Sequence, residues 1–165
     1  MKKLNFGCGQ DIKEGWVNVD VQKNAKIDKS FDFDKFPYPL KENEYEYILV
    51  SGVLEYLKKP SEVLNELWRI SKSNAIIEIK KIPHYSNRSA YDDIDHIHYF
   101  SEIAFKHFVN KEFLIDKKKR FEIISLDVLP SNIGKWIRPK WLRERLSLLI
   151  NGIQSEIYVK LRVIK

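Results

Sequence analysis

Residues 4–20 read LNFGCGQDIKEGWVNVD, and they hold two short apolar runs that each end in residues suited to contacting a ligand. The first run leads into Gly7-Cys8-Gly9, and the second ends on the carboxylate of Asp20. Glycines at the end of a strand let the backbone turn tightly and approach a ligand closely. An acidic side chain at the end of the next strand can accept hydrogen bonds from a pair of ribose hydroxyls. The stretch therefore predicts a nucleotide-type pocket at the edge of a parallel sheet.

A second informative stretch covers residues 31–57, FDFDKFPYPLKENEYEYILVSGVLEYL. Asp32 ends a predicted strand, so we expect its carboxylate to meet the same ligand as the carboxylate of the preceding strand. Pro37 and Pro39 exclude a helix and predict an extended crossing. The next strand opens into Ser51-Gly52-Val53, whose small side chains leave room for a ligand.

Strand and helix patterns alternate along the chain, which predicts an α/β protein with a mainly parallel sheet. The predicted strands lie near residues 3–6, 16–20, 27–32, 45–51, 75–81, 121–128 and 156–164. The predicted helices lie near residues 60–71, 101–110 and 139–151. We expect a single domain over residues 1–165, with a cofactor-binding core at 1–110 and a C-terminal strand-helix-strand segment at 111–165.

Composition and charge narrow the classes of protein to which the chain can belong. The single cysteine excludes an internal disulfide, so we expect a reducing compartment and a cytoplasmic protein. No apolar segment approaches the roughly 20 residues that a membrane span requires. Residues 1–100 carry 15 basic and 16 acidic side chains, a net charge of −1. Residues 101–165 carry 14 basic and 7 acidic side chains, a net charge of +7. This basic C-terminal third, which includes Lys117-Lys118-Lys119-Arg120, predicts an anionic partner.

The motifs resemble those of the class I S-adenosylmethionine-dependent methyltransferases, in particular a compact branch with the pattern LNLGCG…GWxNVD…DLNxFPYP…SxVLEHL. The counterparts here are residues 4–9, 15–20, 32–39 and 51–57. The resemblance implies a Rossmann-like, mainly parallel seven-stranded sheet with an antiparallel last strand and shortened early helices. It also implies methyl transfer from S-adenosylmethionine to an acceptor that the sequence does not identify, for example a glycan, a lipid or a small molecule.

The resemblance further implies that nine residues bind the cofactor: Gly7, Cys8, Gly9, Asp20, Val21, Asp32, Phe33, Ser51 and Val53. The glycine turn would wrap the methionine and ribose parts, and the carboxylate after the second strand would bind the ribose hydroxyls. Val21 would pack on the adenine ring, while Asp32 and the Phe33 backbone would read its edge. Ser51 and Val53 would lie beside the aminoacyl portion.

Other ligands match the sequence less well. A nicotinamide-dependent dehydrogenase needs a third glycine where Ile12 stands and an acid about 20 residues further on, and Asp20 comes too early. A phosphate loop is excluded because no G-K-S/T follows the glycines. His84, His96 and His98 could suggest zinc, but the only cysteine lies in the glycine turn and no helical metal motif is present. We therefore predict no metal site.

A hydroxyl acceptor benefits from a base with a pKa near neutrality, which suits histidine. His84, after the fifth predicted strand, and His96, in the segment DIDHIHYF, are the candidate catalytic residues. The alternative for each is a histidine hydrogen-bonded within a loop. The alternative for the whole chain is a protein that keeps the cofactor fold but binds without catalysing, for example as a partner subunit.

The connections between the first three predicted strands are unusually short. Residues 10–15 and 21–26 each hold no more than about one helical turn. One face of the sheet should then lack its helices, and a parallel sheet rarely tolerates exposure. We predict that this face is covered by self-association, for example in a homodimer, or by the chain's own C-terminal segment.

Residues 136–153, WIRPKWLRERLSLLINGI, predict a basic amphipathic helix over 139–151. Four apolar side chains form one stripe that predicts packing on the core: Leu142, Leu146, Leu149 and Ile153. Alternatively, the segment is a substrate lid that contacts an anionic membrane or a phosphorylated acceptor. Nucleic acid is the less favoured anion, because the sequence has no interleaved aromatic platform.

Overall fold

The computed structural model describes residues 1–110 and 120–165. The lysines at 117–119 and the first residues of the predicted segment 111–165 lie outside the described residues. In chain order the elements are β1 (Lys3–Phe6), β2 (Val17–Asp20), β3 (Lys29–Ser30), β4 (Tyr45–Ser51), α1 (Pro60–Ile70), β5 (Ser71–Pro83), α2 (Glu102–Asn110), β6 (Phe121–Pro130), α3 (Lys140–Ser147) and β7 (Gln154–Val163). Short 3-10 turns occur at Leu54–Tyr56, Arg88–Ala90 and Gly134–Trp136.

The strands form one seven-stranded sheet in the order β3-β2-β1-β4-β5-β7-β6. The pairs from β3 to β5 are parallel, while β7 runs antiparallel to both of its neighbours, β5 and β6. No helix joins β1 to β2 or β2 to β3. The predicted Rossmann-like α/β sheet, with its antiparallel last strand and shortened early helices, is confirmed.

Three predicted boundaries are wrong. The fifth strand is predicted over 75–81, but β5 begins at Ser71, directly after α1, and extends to Pro83. The third strand was expected over 27–32, but β3 contains only Lys29 and Ser30, so Asp32 does not end a strand. The Asp32 carboxylate accepts a hydrogen bond from the Asp34 amide at 3.0 Å, and this local turn competes with further extension. The last helix was expected over 139–151, but α3 ends at Ser147 and the following turn leads into β7.

The hydrophobic core lies between one face of the sheet and the helices α1 and α2. Pro60 occupies the first turn of α1, where its missing amide proton costs nothing. The helix then buries a stripe that contacts the sheet: Val63, Leu64, Leu67 and Ile70. The facing strand residues are fully buried branched aliphatics, as expected for strands covered on that side: Ile48, Val50, Ile77, Ile79, Val159 and Leu161.

The opposite face of the sheet carries polar side chains. The strand register places Asn18, Asn5, Leu49, Glu78 and Lys160 in one row across five strands. Because most of this row is polar, the face has a smaller need for an apolar cover than an ordinary parallel sheet. Self-association over it stays a prediction.

The prediction that the C-terminal segment covers this polar face is wrong for α3. This helix shares a cleft with α2 and with Leu126 and Val128 of β6. Those two residues pair with Val159 and Ile157, which belong to the buried face. The helix therefore lies on the α2 side of the sheet. Among the described residues, no helix is long and apolar enough to cross a membrane.

Two buried asparagines fasten the short β1–β2 connection to the sheet. The Asn5 amide donates to the Asp11 carbonyl at 2.7 Å and to Asn18 Oδ1 at 3.0 Å. Asn18 Oδ1 also accepts from the Lys13 amide, and its Nδ2 donates to the Lys13 and Trp16 carbonyls. These bonds satisfy backbone groups that a helix would have satisfied internally.

We predict that Asn18→Ala lowers the free energy of unfolding by about 1–3 kcal/mol, because it removes four side-chain hydrogen bonds and leaves their partners unsatisfied. Urea denaturation followed by circular dichroism measures the loss. Asn24→Ala is the matched control, since Asn24 is exposed and makes one local bond to the Lys26 amide. Equal losses for the two variants would contradict the role given to Asn18.

Candidate cofactor and acceptor site

The glycine turn at the end of β1 is held by the neighbouring strand. The amides of Gly7 and Cys8 both donate to the Val19 carbonyl, at 2.9 and 3.0 Å. Gly7 has a φ of 70° and Gly9 a φ of 49°, which is the left-handed region that favours glycine. A Cβ placed on Gly7 would lie 2.3 Å from Val53 Cγ2, so the turn packs directly against the second residue after β4.

Asp20, at the end of β2, closes this turn from the other side. Its Oδ2 accepts from the Gly9 amide at 2.7 Å, and its Oδ1 accepts from the Gln22 amide at 3.0 Å. The residue is buried, and each carboxylate oxygen can accept a second hydrogen bond. The carboxylate therefore orders the glycine turn and retains acceptor capacity for a pair of ligand hydroxyls.

Cys8 is buried in the same turn. Burial, together with the nearby charge of Asp20, raises the pKa of its thiol above the ordinary value. A thiol with a raised pKa is a poor nucleophile at neutral pH. The structure agrees with a cysteine that serves as a small turn residue.

The residues expected around an adenine ring are only partly brought together. Val21 directly follows Asp20 and is 54% exposed, which leaves its apolar side chain open to a ligand. Asp32 is exposed, and its carboxylate lies 3.5 Å from Lys35 Nζ. Phe33 is buried in the core, where its ring stacks on that of Phe6 at a centroid distance of 4.0 Å.

Ser51 and Val53 lie at the end of β4, next to the glycine turn. Ser51 pairs with Lys80 of β5, and the Gly52 amide donates to the Lys80 carbonyl at 3.0 Å. Val53 is buried against Gly7. The structure thus brings together the ends of β1, β2 and β4.

We predict that Gly7→Ala destabilises the ligand-free chain by about 2–5 kcal/mol, because left-handed strain adds to a clash with Val53. Gly9→Ala is the control: it carries the strain alone, about 1–2 kcal/mol, since no atom lies within 4 Å of the place where its Cβ would stand. Thermal and urea unfolding give both values. Adding Val53→Ala should recover part of the Gly7→Ala loss, and no recovery would argue against the clash.

Glu55 is a buried carboxyl group that the sequence motifs did not reveal. It lies in the turn after β4, and a Cβ placed on Gly52 would lie 3.7 Å from its Oε1. Its Oε2 has no hydrogen-bond partner in the described part of the chain. Burial raises the pKa of Glu55 to about 7, against the opposing effects of its own backbone amide and of His96. Only its place in the VLEYL run could have drawn attention to it, because burial of a glutamate is a tertiary property.

The raised pKa of Glu55 predicts a loss of stability as pH rises. The unfolded carboxyl group ionises near pH 4.5 while the folded one holds its proton to about pH 7, so unfolding releases a proton between these values. The stabilisation is complete below pH 4.5 and is lost as pH rises through about 7. Relative to wild type, Glu55→Gln should therefore gain up to about 3 kcal/mol between pH 4.5 and pH 8.

Urea denaturation of both proteins across this pH range measures the difference. Glu62→Gln, which replaces an exposed glutamate of α1, is the matched control and should show no such gain. A constant difference between Glu55→Gln and wild type would contradict the raised pKa.

His84, at the end of β5, is almost fully buried with both ring nitrogens engaged. Its Nδ1 accepts from the Ser86 amide at 3.2 Å, so the neutral ring carries its proton on Nε2, 3.4 Å from Glu102 Oε2. Burial lowers the pKa of His84, although Glu102 opposes this effect. The neutral ring is therefore fixed in one tautomer.

His96 has a different environment. Its Nδ1 donates to the Ala90 carbonyl at 3.0 Å, which leaves Nε2 as the basic nitrogen of the neutral ring. The ring packs edge-on against Tyr56 at 4.6 Å between centroids, and the Tyr56 hydroxyl donates to Asp93 at 2.9 Å. The two predicted histidines therefore have separate partners, and His96 is the better placed to accept a proton.

A cleft of about 900 Å³ opens between α2 and α3, which is within the range of small-molecule sites. His84 and Glu102 lie in its wall, together with the stacked rings of Tyr91 and Tyr99. Trp141 of α3 lines the opposite side. Within residues 1–110 and 120–165, no cluster of three histidine, cysteine or acidic residues could hold a metal ion.

Solved structures that share this architecture include proteins named as methyltransferases. No protein-family model matches the sequence, and no curated protein matches it. A SAM-dependent methyltransferase from Archaeoglobus fulgidus has a TM-score of 0.65 at 16% identity, over 98% of this chain and 85% of its own. A chain from the complex between the Haloferax volcanii Trm112 methyltransferase activator and a methyltransferase has a TM-score of 0.63 at 11% identity. The match covers 99% of this chain and 83% of that chain.

The [4+2]-cyclase SpnF also has this fold, with a TM-score of 0.63 at 11% identity over 99% of this chain and 75% of its own. The chain thus shares the class I methyltransferase fold. These identities are low, and one neighbour is named for a different reaction, so the fold alone does not fix the chemistry.

Proposed function

We propose that the chain is an S-adenosylmethionine-dependent methyltransferase. The observation that carries this proposal is the closed arrangement of the glycine turn and Asp20, joined by the 2.7 Å bond from the Gly9 amide. The left-handed glycines leave the backbone uncovered, and the buried carboxylate retains acceptor capacity for ribose hydroxyls. The fold of the neighbouring methyltransferases supports the same conclusion.

The residues fit the proposed cofactor, and each keeps its expected role, although Asp32 lies in a loop and not at the end of a strand. Gly7, Cys8 and Gly9 would hold the methionine and ribose parts, with Ser51 and Val53 beside the aminoacyl group. The exposed Val21 would pack on the adenine ring. Asp32 would reach the ring from its loop, since β3 ends before it. Phe33 would read the ring edge with its backbone amide, because its carbonyl already accepts from the Tyr38 hydroxyl.

The cofactor supplies an electrophilic methyl group when bound, so the chain's task is to position the acceptor. The proposed acceptor side is the segment of residues 93–98, whose Ile97 and His98 amides donate to the Glu55 carbonyl in the turn after β4. His96 is the proposed base, because Nδ1 is fixed by the Ala90 carbonyl and Nε2 can take the proton. His84 is better suited to holding the loop and α2 together through Ser86 and Glu102.

We predict that isothermal calorimetry detects binding of S-adenosylmethionine and of its demethylated product. Asp20→Asn should weaken binding by about 1.5–3 kcal/mol, roughly 10- to 150-fold, because it removes a charged acceptor. The control is Asp11→Asn, which changes an exposed carboxylate of the same connection whose partner is Lys13. No heat with either ligand, or equal effects of the two substitutions, would overturn the proposal.

The same preparation tests catalysis when it is incubated with methyl-labelled cofactor and separate pools of glycans, lipids, small molecules and RNA. Label transfer that Asp20→Asn reduces at limiting cofactor concentration supports the enzyme. The alternative is a non-catalytic partner subunit. One structural neighbour comes from a complex between a methyltransferase activator and a methyltransferase. Binding of the cofactor without transfer to any pool would favour that alternative.

A further inference from the structure

The connection between β6 and β7 exposes an unusual amount of apolar surface. We refer to residues 133–150 as the C-terminal lip. Six large hydrophobic side chains of this lip are exposed: Ile133, Trp136, Trp141, Leu148, Leu149 and Ile150. Trp136 is 87% exposed and Leu149 is 84% exposed. Clustered exposure of this kind marks interaction surfaces in soluble proteins.

Of the stripe that was predicted to pack on the core, only Ile153 is buried, and it lies just before β7, outside α3. Ser147 is the only buried residue of α3, while Leu142 and Leu146 are half-buried. The helix ends before Leu149, so the end of the stripe projects from a turn. An eight-residue helix is marginal in water by itself, because helix nucleation is costly.

The base of the lip is nevertheless firmly attached. The Ser131 amide donates to the Ile153 carbonyl at 2.9 Å, so the two strands are bridged where the lip begins and ends. A Cβ on Gly134 would lie 2.0 Å from the same carbonyl oxygen, which shows how closely the segments approach. The lip is therefore attached to the sheet at both ends, while its apolar side chains stay outside the core.

The lip is also strongly basic. It contains one acidic side chain, Glu144, and five cationic ones: Lys135, Arg138, Lys140, Arg143 and Arg145. Its net charge is therefore +4, out of +6 for the whole chain. Tryptophan and leucine interspersed with lysine and arginine characterise segments that lie in the interface of a membrane. Tryptophan rings favour the headgroup level, and cationic side chains there attract anionic lipids.

We propose that the C-terminal lip docks the protein on anionic membrane surfaces. The exposed apolar side chains enter the headgroup boundary, and the arginines and lysines contact lipid phosphates and carboxylates. A second copy of the chain fits this surface poorly, because a symmetric contact would place +4 against +4. Nucleic acid would match the charge but would leave Leu148, Leu149 and Ile150 without an apolar partner.

Docking in this way would bring the cleft to the lipid surface. Lys140, Trp141, Arg145 and Leu148 of the lip also line the cleft that contains His84. A docked chain therefore presents this cleft to the headgroup layer. Docking itself requires neither the cofactor nor catalysis.

Flotation of the full chain with vesicles, without added cofactor, tests the proposal. Vesicles of phosphatidylcholine mixed with phosphatidylserine should bind at least about tenfold more tightly than phosphatidylcholine alone, and binding should weaken from low salt to about 0.15 M salt. Arg138→Glu/Arg145→Glu, which reverses two exposed charges of the lip, should weaken binding at least about tenfold. Trp136→Ala/Leu149→Ala should weaken it while all charges are kept.

The matched control is Lys23→Glu/Lys26→Glu, which makes the same charge change in the exposed connection before β3, at the opposite end of the sheet. It should bind like wild type, and circular dichroism verifies that every variant is folded. Equal absence of binding to both vesicle types, or equal effects of the two charge reversals, would overturn the proposal. Tighter binding to RNA that Trp136→Ala/Leu149→Ala leaves unchanged would also overturn it.

Discussion

The hydrogen bonds of Asn5 and Asn18 are the constraint on which the cofactor side of the sheet depends. They hold a connection too short for a helix against the strands, so that β1 and β2 stay in register. That register places the Val19 carbonyl under the glycine turn and Asp20 beside Gly9. The Asn18 amide also donates to Asp28 at 2.7 Å, which sets the start of β3. The two asparagine side chains thus fix the β1–β2 connection and the glycine turn at its start, while the backbone of Asn18 orders the connection to β3.

The polar face of the sheet follows from the same shortening. A parallel sheet usually needs helices on both faces, because its strands are apolar on both sides. Here the polar face carries groups that satisfy each other across strands: the Tyr158 hydroxyl donates to Glu78 at 2.6 Å, and Arg162 contacts Glu122 at 3.0 Å. These bonds bring net stability of only about a kcal/mol each. Their main effect is to satisfy polar groups on the face that lacks helices between β1 and β3.

The architecture could be predicted from the sequence because strand periodicity and turn chemistry are local. The runs at 45–51 and 156–164, and the glycines at 7 and 9, could be interpreted without knowledge of distant residues. The errors occurred where tertiary contacts decide. Phe33 is drawn into an aromatic cluster with Phe6, so the chain leaves the sheet before Asp32. The burial of Glu55 depends on residues 93–98 folding over it, and no local sequence pattern predicts that contact.

The two histidines differ in whether they could accept the proton that methyl transfer releases. A hydroxyl acceptor loses a proton as it is methylated, and a nearby group must receive it. The nitrogens of His84 already serve the Ser86 amide and Glu102, so a proton taken there would disrupt the loop that holds it. His96 keeps Nε2 available and lies within the electrostatic influence of Glu55, whose pKa of about 7 makes its own charge sensitive to neutral pH. The Glu55 carbonyl accepts from the Ile97 and His98 amides, so the charge that Glu55 gains as pH rises through about 7 arises beside the segment that holds the proposed base.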